Sequence, residues 1–399
     1  MGAQQETVNT YEVDDHGLAL LRAERDGIVY EEVDGHDRFR CAEGPFEQYE
    51  RALEVRTDQA TGRHHVTETV RWQLAIPIWG GLFRRLVARQ LRHDQPPEPS
   101  RDDDQAPWWS PPARLDARSA RVLALLCTMS MLAGYLGTII TQTITFAADE
   151  FGASKSAQGT TLSAVRIGIL LSLVVVTLSD RKGRKQLLLL SAVGSVAFAA
   201  AGALSPNLAV LGLTQTFSRA LSTSLALLIA VVAAEEMPAG GRAYAASVVS
   251  MTAALGAGGA VLLLPIAGMG GEGSPAWRIV YVVPLLLLPK FLRVARALPE
   301  SRRFTRPHGK ATMAGHRGRL LMLSTGAFLG LLFFAPVTQF QNEFLRTEQG
   351  FAAWQITLYT ISTGTPGGIG IVVGGRLADL KGRRIVGAVG TIGGAACFA

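Results

Sequence analysis

Apolar runs decide what this chain can fold into. From about residue 120 onward, stretches of about 20 or more predominantly apolar residues recur, each long enough to cross about 30 Å of hydrocarbon as a helix. In hydrocarbon every backbone N–H and C=O must find a partner inside the protein, which leaves a helical bundle as the solution. Nine runs are legible, at about 121–146, 160–178, 186–204, 208–234, 243–269, 277–298, 319–339 and 354–378, with a ninth beginning near Ile385. They are spans 1 to 9. The chain stops at Ala399 inside span 9, so the reading is an all-α membrane bundle of nine predicted spans, truncated in the last.

The first hundred residues are of another kind, charge-rich and without a long apolar run. The start, Met1 to Glu6, has no basic segment followed by an apolar one, so no signal peptide is expected. Glu6 also stands where an N-myristoylation pattern wants Ser or Thr. Residues 1 to about 43 are acidic and mixed, and are expected to be partly ordered at best. Residues 46–56 and 65–78 read as two strands around the turn Asp58–Gly62, and Val66–Trp72 alternates with the period of a half-buried strand. Next, Leu82, Phe83, Leu86, Val87 and Leu91 share one helical face while Arg84, Arg85, Arg89 and Arg92 fall on others. Such a basic amphipathic helix either covers the hairpin, which is marginal alone, or lies on an anionic leaflet. The proline-rich stretch 94–115 is a linker, and Trp108-Trp109 suit a headgroup-level anchor. The expected layout is a small α+β extension and linker (1–118), a first six-helix bundle (119–300), an inter-bundle loop (301–318) and the start of a second bundle (319–399).

Charge supplies orientation. The net charge is +7, but Lys and Arg gather in alternate short loops, which the positive-inside rule explains without nucleic acid. The loops after spans 2, 4, 6 and 8 carry Arg181 to Lys185, Arg242, Arg293 to Arg317, and Lys381 to Arg384. Those loops and the N-terminal extension are therefore assigned to the cytoplasm. Lys155 and Arg346 are exceptions on the opposite side. The three cysteines, Cys41, Cys127 and Cys397, give no disulfide framework and no metal spacing. Adjacent His64 and His65 cannot easily serve one tetrahedral metal site. Residues 40–93 hold no nucleophile–base pair, metal set or phosphate loop, so neither a cofactor nor an enzyme activity is expected.

One sequence element occurs twice. Ser179-Asp180-Arg181-Lys182-Gly183-Arg184-Lys185 follows span 2, and Gly375-Arg376-Leu377-Ala378-Asp379-Leu380-Lys381-Gly382-Arg383-Arg384 follows span 8. Each must reverse the chain in few residues, and glycine opens backbone angles closed to other residues. A carboxylate there can stabilise the positive start of a neighbouring helix or pair with an arginine. The pair resembles the G-x-L-A-D-x-x-G-R-[RK] loop signature of the major facilitator superfamily. The downstream copy matches at every defined position; the upstream copy has Val176 and Ser179 in place of the first glycine and the alanine. Ala234 to Arg242 is similar to the family's A-E-x-x-P-x-x-x-R turn, and Trp277-Arg278 opens span 6 as in many members. Leu298 to Phe304 is similar to the P-E-S-P-R-[WF] signature of sugar-transporter-like members, with Arg302 in place of the second proline.

The resemblance implies two six-helix halves and a latch made by Asp180, Gly183 and Arg184 and by Asp379, Gly382 and Arg383. Glu235 or Glu236 would be the partner of Arg184 or Arg242. It implies a cavity lined from spans 1, 4 and 7, for which Arg219, Tyr135, Gln142, Gln215 and Gln339 are the candidates. Polar groups in hydrocarbon are costly enough that each needs a reason, and Arg219 is the strongest case. Spans 1 and 4 hold no Asp or Glu at mid-depth. The implied function is secondary transport of a small solute, such as a sugar or organic acid, across the plasma membrane. It would act as a monomer in the lipid bilayer, with coupling to protons open. A drug/proton exporter of the same family and a non-transporting membrane sensor are the competing expectations. Gly256, Gly258 and Gly259 permit close helix packing but do not spell the antiporter pattern G-P-x-x-G-G.

Overall fold

The structure, a computed structural model, describes residues 4–92, 107, 109–271, 273–300 and 317–398. Most of the linker, Trp108 and residues 301–316 of the inter-bundle loop lie outside the described residues. The chain divides into two compact units. One comprises Met1–Leu126, Glu236–Val248 and Val372–Ala399; the other comprises Cys127–Glu235 and Val249–Ile371.

The first unit contains the extension. Its strands are β1 (Gln5–Val13), β2 (Tyr30–Val33), β3 (Arg38–Glu43), β4 (Phe46–Thr57) and β5 (His64–Leu74), with helices α1 (Asp15–Leu21) and α2 (Gly80–Leu91). The strands form one sheet in the order β1-β5-β4-β3-β2, antiparallel throughout. The β4–β5 hairpin expected from sequence is its centre. Its turn is fixed by the Asp58 carboxylate, which accepts from the Ala60 N–H at 2.9 Å and the Thr61 hydroxyl at 2.7 Å. Partial order over residues 1–43 is corrected: β1, α1, β2 and β3 lie there. β1 hides from a hydropathy reading because its buried face is Thr7, Asn9, Tyr11 and Val13, while Val8 is exposed.

The buried face of the sheet is apolar at both ends and ionic in the middle. One end packs Tyr11, Val13, Leu18, Leu21, Phe39, Leu53 and Val66. The other packs Val29, Phe46, Tyr49, Val70 and Trp72 against Val87 and Leu91 of α2. Between them Arg51 donates to Glu31 at 2.6 Å, to the Leu21 carbonyl at 2.7 Å and to the Ala23 carbonyl at 2.9 Å. Glu31 also accepts from the Tyr49 hydroxyl at 2.5 Å. Glu68 accepts from Arg25 at 2.7 Å and from the Asn9 amide at 2.7 Å. Buried charges survive only when paired and hydrogen-bonded; each charge here is paired, while Nε and Nη1 of Arg25 have no hydrogen-bond partner among the described residues.

Burial works to raise the Glu68 pKa, but Arg25, the Asn9 amide and Arg51 outweigh it and hold the carboxyl below its usual value. A carboxyl depressed by folding stabilises the folded state above its unfolded pKa and loses that contribution as pH falls through the folded one. The sheet is therefore expected to hold constant stability above about pH 5 and to weaken progressively below it. Glu68→Gln should flatten the acid limb, read by denaturant midpoints between pH 3 and 7.

The remaining helices match the nine runs: α3 (Ala117–Glu150), α4 (Lys155–Lys182), α5 (Arg184–Gly202), α6 (Leu208–Glu236), α7 (Arg242–Leu262), a short α8 (Leu264–Ala267), α9 (Trp277–Ala297), α10 (Arg317–Glu343), α11 (Ala353–Lys381) and α12 (Arg383–Phe398). Most outrun the apolar segments because a helix need not stop where the hydrocarbon does. Among the described residues, six stretches are long and apolar enough to cross a membrane: Ala117–Glu150, Lys155–Ser179, Arg184–Gly202, Leu208–Glu236, Ala239–Ala267 and Ala353–Lys381. Of the other helices matched to the runs, α9, α10 and α12 do not meet that measure, so six of the nine expected spans have a candidate membrane helix. Leu170, Leu286, Leu321 and Leu323 are among many large apolar side chains left exposed, a surface that hydrocarbon would cover. In the second unit α3 and α7 meet backbone to backbone: a Cβ on Gly134 would strike the Ala253 carbonyl, and one on Gly256 the Met131 carbonyl. Of the three glycines singled out in span 5, only Gly256 is in such backbone contact; Gly258 faces open space.

Candidate functional site

The two copies of the repeated turn have the same backbone. Gly183 sits at φ 95° between α4 and α5, and Gly382 at φ 94° between α11 and α12. Both angles lie where a Cβ is disfavoured, so glycine is what permits helix to follow helix across one residue.

In the first unit the Asp379 carboxylate accepts from the N–H groups of Tyr244 at 2.8 Å and Ala243 at 3.2 Å. These are amides of the first turn of α7, which have no partner within their own helix. Asp379 is nearly fully buried, and Arg383 lies 3.6 Å from it one turn on. Nearby, a Cβ on Gly375 would strike Ser247 of α7, so this glycine is what lets α11 pack so closely there. Arg118 donates to Glu236 at 3.1 Å, and the Ser119 hydroxyl to the Glu236 carbonyl at 2.9 Å.

In the second unit the matching position is built differently. Arg184 pairs with Glu235. The first-turn N–H groups of α5, from Arg184 and Lys185, donate to Glu300 at 3.0 and 3.4 Å. Lys185 also donates to the Arg296 carbonyl at 2.8 Å. A carboxylate thus seats on a helix start beside each turn: Asp379 on α7 and Glu300 on α5. Sequence reasoning foresaw the role for Asp379 and did not assign it to Glu300, although the Pro299-Glu300 signature was in view. Arg184 pairs with Glu235, one of its two expected partners, and Glu236 pairs with Arg118. The side chain of Asp180 lies outside the described residues.

Away from the turns, the second unit carries a polar clamp. Glu150 accepts from the Trp277 indole at 2.6 Å and from Arg278 at 2.8 Å, tying α3 to α9. Asp149 pairs with Arg346 at 2.6 Å, and Lys155 with Glu348 at 3.2 Å and Glu343 at 3.6 Å. The two cations that stood out against the charge asymmetry are thus each neutralised locally.

The cavity candidates also fall in this unit. Arg219 of α6 reaches across to donate to the Gly137 carbonyl of α3. Arg166 of α4 lies within electrostatic range of it. Gln142 of α3 accepts from the Asn342 amide of α10 at 2.7 Å through its side-chain oxygen and at 3.2 Å through its carbonyl. The Tyr135 hydroxyl donates to the Val280 carbonyl of α9 at 2.6 Å, which makes it a tie between helices. Gln215 is buried, with its amide nitrogen against Gly202 of α5 and no hydrogen-bond partner. Tyr135 and Gln142 share one face of α3 and turn to α9 and α10, Arg219 meets α3 at Gly137 on another face, and Gln215 is set toward α5. The side chain of Gln339 lies outside the described residues. Among the described residues no cluster of His, Cys, Asp and Glu could hold a metal ion.

Solved transporters are similar to parts of this chain. A bacterial homolog of the human lysosomal transporter Spinster, inward-facing and unoccupied, is 17% identical at a TM-score of 0.51, over 64% of this chain and 60% of that one. A D-xylose-proton symporter is 17% identical at 0.50, over 65% and 68%. The proton:xylose symporter XylE bound to 6-bromo-6-deoxy-D-glucose is 19% identical at 0.42, over 47% and 46%. The chain thus spans from about half to about two-thirds of the length of these relatives. No curated protein matches it in sequence. Two turns of one design, each beside a carboxylate-capped helix start, agree with the family model that covers residues 124–399, well over half of the chain, and the chain belongs to the Major Facilitator Superfamily.

Proposed function

We propose that the protein is a secondary transporter that moves a small polar solute, a sugar, organic acid or similar metabolite, across the plasma membrane by alternating access. The observation that carries this reading is Arg219, a cation inside an apolar span that donates to the Gly137 carbonyl of α3. A charge held at that cost marks a solute or ion pathway more often than a scaffold. The similarity of Leu298 to Phe304 to the sugar-transporter signature favours the metabolite branch over drug export. Asp180, Gly183, Arg184 and Glu235, with Asp379, Gly382 and Arg383, would form the latch that holds one of the two access states. Glu236 joins it through Arg118.

Coupling to protons ordinarily asks for a carboxyl of raised pKa inside the bundle. Residues 121–148 and 208–234 contain no Asp or Glu, so a proton path in spans 1 and 4 has no carboxyl to use. Orientation follows the basic loops, with the extension in the cytoplasm; Lys155 and Arg346 stay exceptions to that asymmetry.

Arg219→Ala is expected to lower solute uptake about tenfold or more, the loss of one charge-assisted hydrogen bond, with normal membrane insertion. Arg219→Lys should recover part of it. Uptake kinetics unchanged in both variants would remove Arg219 from the pathway.

A further inference from the structure

We infer that the face of α2 turned away from the sheet is a docking surface for an anionic phospholipid leaflet. The inference rests on α2 and the start of α3 alone, and stands whether or not the bundle transports a solute.

α2 is covered on one side only. Val87 and Leu91 are buried in the core beneath the sheet, and Phe83 lies against Trp109 with ring centroids 6.2 Å apart. Helical spacing puts Leu82, Arg85 and Arg89 on the opposite side, and Ile78 lies in the turn just before the helix. All four are exposed, Leu82 by 67% and Ile78 by 55%. Arg84 and Arg92 are exposed as well. Ile78 holds φ 69°, a conformation that a β-branched side chain adopts only under constraint. No acidic residue occurs between Glu68 and Asp94, so nothing within this segment offsets the arginines. The stripe is apolar at its first turn and cationic beyond, the pattern of a helix that inserts a tip and keeps guanidiniums among lipid phosphates.

Its placement points to the same occupant. The Trp79 indole, at the start of α2, donates to the Ala124 carbonyl of α3 at 3.1 Å. Ala124 is seven residues past the start of α3 at Ala117, about 10 Å along the helix, and lies where the first apolar span begins. The apolar end of α2 is therefore pinned at the level where a span that crosses hydrocarbon enters it. Arg121 pairs with Glu47 at 2.9 Å, which fixes the sheet to the same point. A soluble protein partner could use the same arginines, but it would not account for an apolar tip held at the mouth of a span.

The test places an environment-sensitive dye on the full chain through Leu82→Cys, with Cys41, Cys127 and Cys397 replaced by alanine, and a control dye through Thr61→Cys at the exposed hairpin turn. Each protein is reconstituted in nanodiscs of phosphatidylcholine, with or without about one-third phosphatidylglycerol. The expected result is blue-shifted emission and quenching by nitroxide-labelled lipid for the Leu82→Cys dye in anionic discs. Both effects should fall at least twofold in Arg85→Gln/Arg89→Gln and weaken at high salt, while the Thr61→Cys dye stays water-like. Leu82, Arg85, Arg89 and Thr61 are exposed, and the cysteine-to-alanine background, which removes half-buried Cys41 and buried Cys127, is common to every protein compared. Water-like emission of the Leu82→Cys dye in both compositions would overturn the inference and leave the face to a protein partner. Quenching indifferent to lipid charge and to the two arginines would overturn it as well.

Discussion

Glu31→Ala is expected to unfold the N-terminal sheet at temperatures where the parent chain keeps it. The substitution removes the acceptor of Arg51 and of the Tyr49 hydroxyl, and both side chains are buried. Removing one partner of a buried ion pair costs about 3–5 kcal/mol, because the remaining charge is left in a low-dielectric interior. That is a large part of the 5–15 kcal/mol that holds a typical domain folded. Arg51 keeps two backbone carbonyls and a 3.4 Å contact with Glu68, which places the expected loss toward the lower end of that range. Amide hydrogen exchange of β4 and β5 reads the effect directly, as a drop in protection of about two to three orders of magnitude. Glu31→Met/Arg51→Met should restore much of it, since a buried pair replaced on both sides leaves no orphaned charge. Exchange unchanged in Glu31→Ala would mean that the ionic centre is not what holds the sheet.

Asp379→Ala should have the second largest effect, and a functional one. The carboxylate satisfies two first-turn amides of α7 and sets a negative charge at that positive helix start. Hydrogen bonds to a charged group are worth about 1.5–3 kcal/mol each, and amides that regain water recover part of that, so a loss of about 2 kcal/mol is expected. Applied to one of two access states, about 2 kcal/mol shifts their ratio by about thirty-fold. Asp379→Asn keeps an acceptor oxygen without the charge and should fall between. Hydrogen exchange at Ala243 and Tyr244, measured beside uptake, separates the latch from a purely structural cap: a cap alone would raise exchange and leave the uptake rate unchanged.

The legible parts of this protein were those in which one physical requirement dominates. Six of the spans were visible because hydrocarbon demands about 20 apolar residues in a row, whatever their neighbours. The turns at Gly183 and Gly382 were visible because chain reversal between two helices needs a special backbone angle, and Asp379 because a helix start attracts a carboxylate. The sheet was legible only at β4 and β5. Val66 to Trp72 alternates correctly, and Glu68 falls on its buried face, but a glutamate there reads as exposed until Arg25, Arg51 and Asn9 are brought to it from β1, β4 and the segment after α1. β1 failed for the same reason, its inward face being as polar as its outward one. The family resemblance offered Arg184 or Arg242 as partners of Glu236; its salt bridge to Arg118 at the start of α3 is a contact that spacing along the chain cannot reveal. Trp109 read as a lipid anchor because of its position before a span; in the structure its ring packs on Phe83 and its carbonyl accepts from the Tyr244 hydroxyl at 2.8 Å.

The central claim is secondary transport through the site around Arg219. Its most direct test is uptake of radiolabelled pentoses, hexoses and mono- and dicarboxylates into sealed proteoliposomes containing the purified protein, compared with Arg219→Ala inserted to the same level. Saturable uptake of at least one solute, lost in the variant, is the predicted result. Uptake of every solute equal to that of protein-free liposomes, from protein whose α7 amides show folded-state protection, would contradict it.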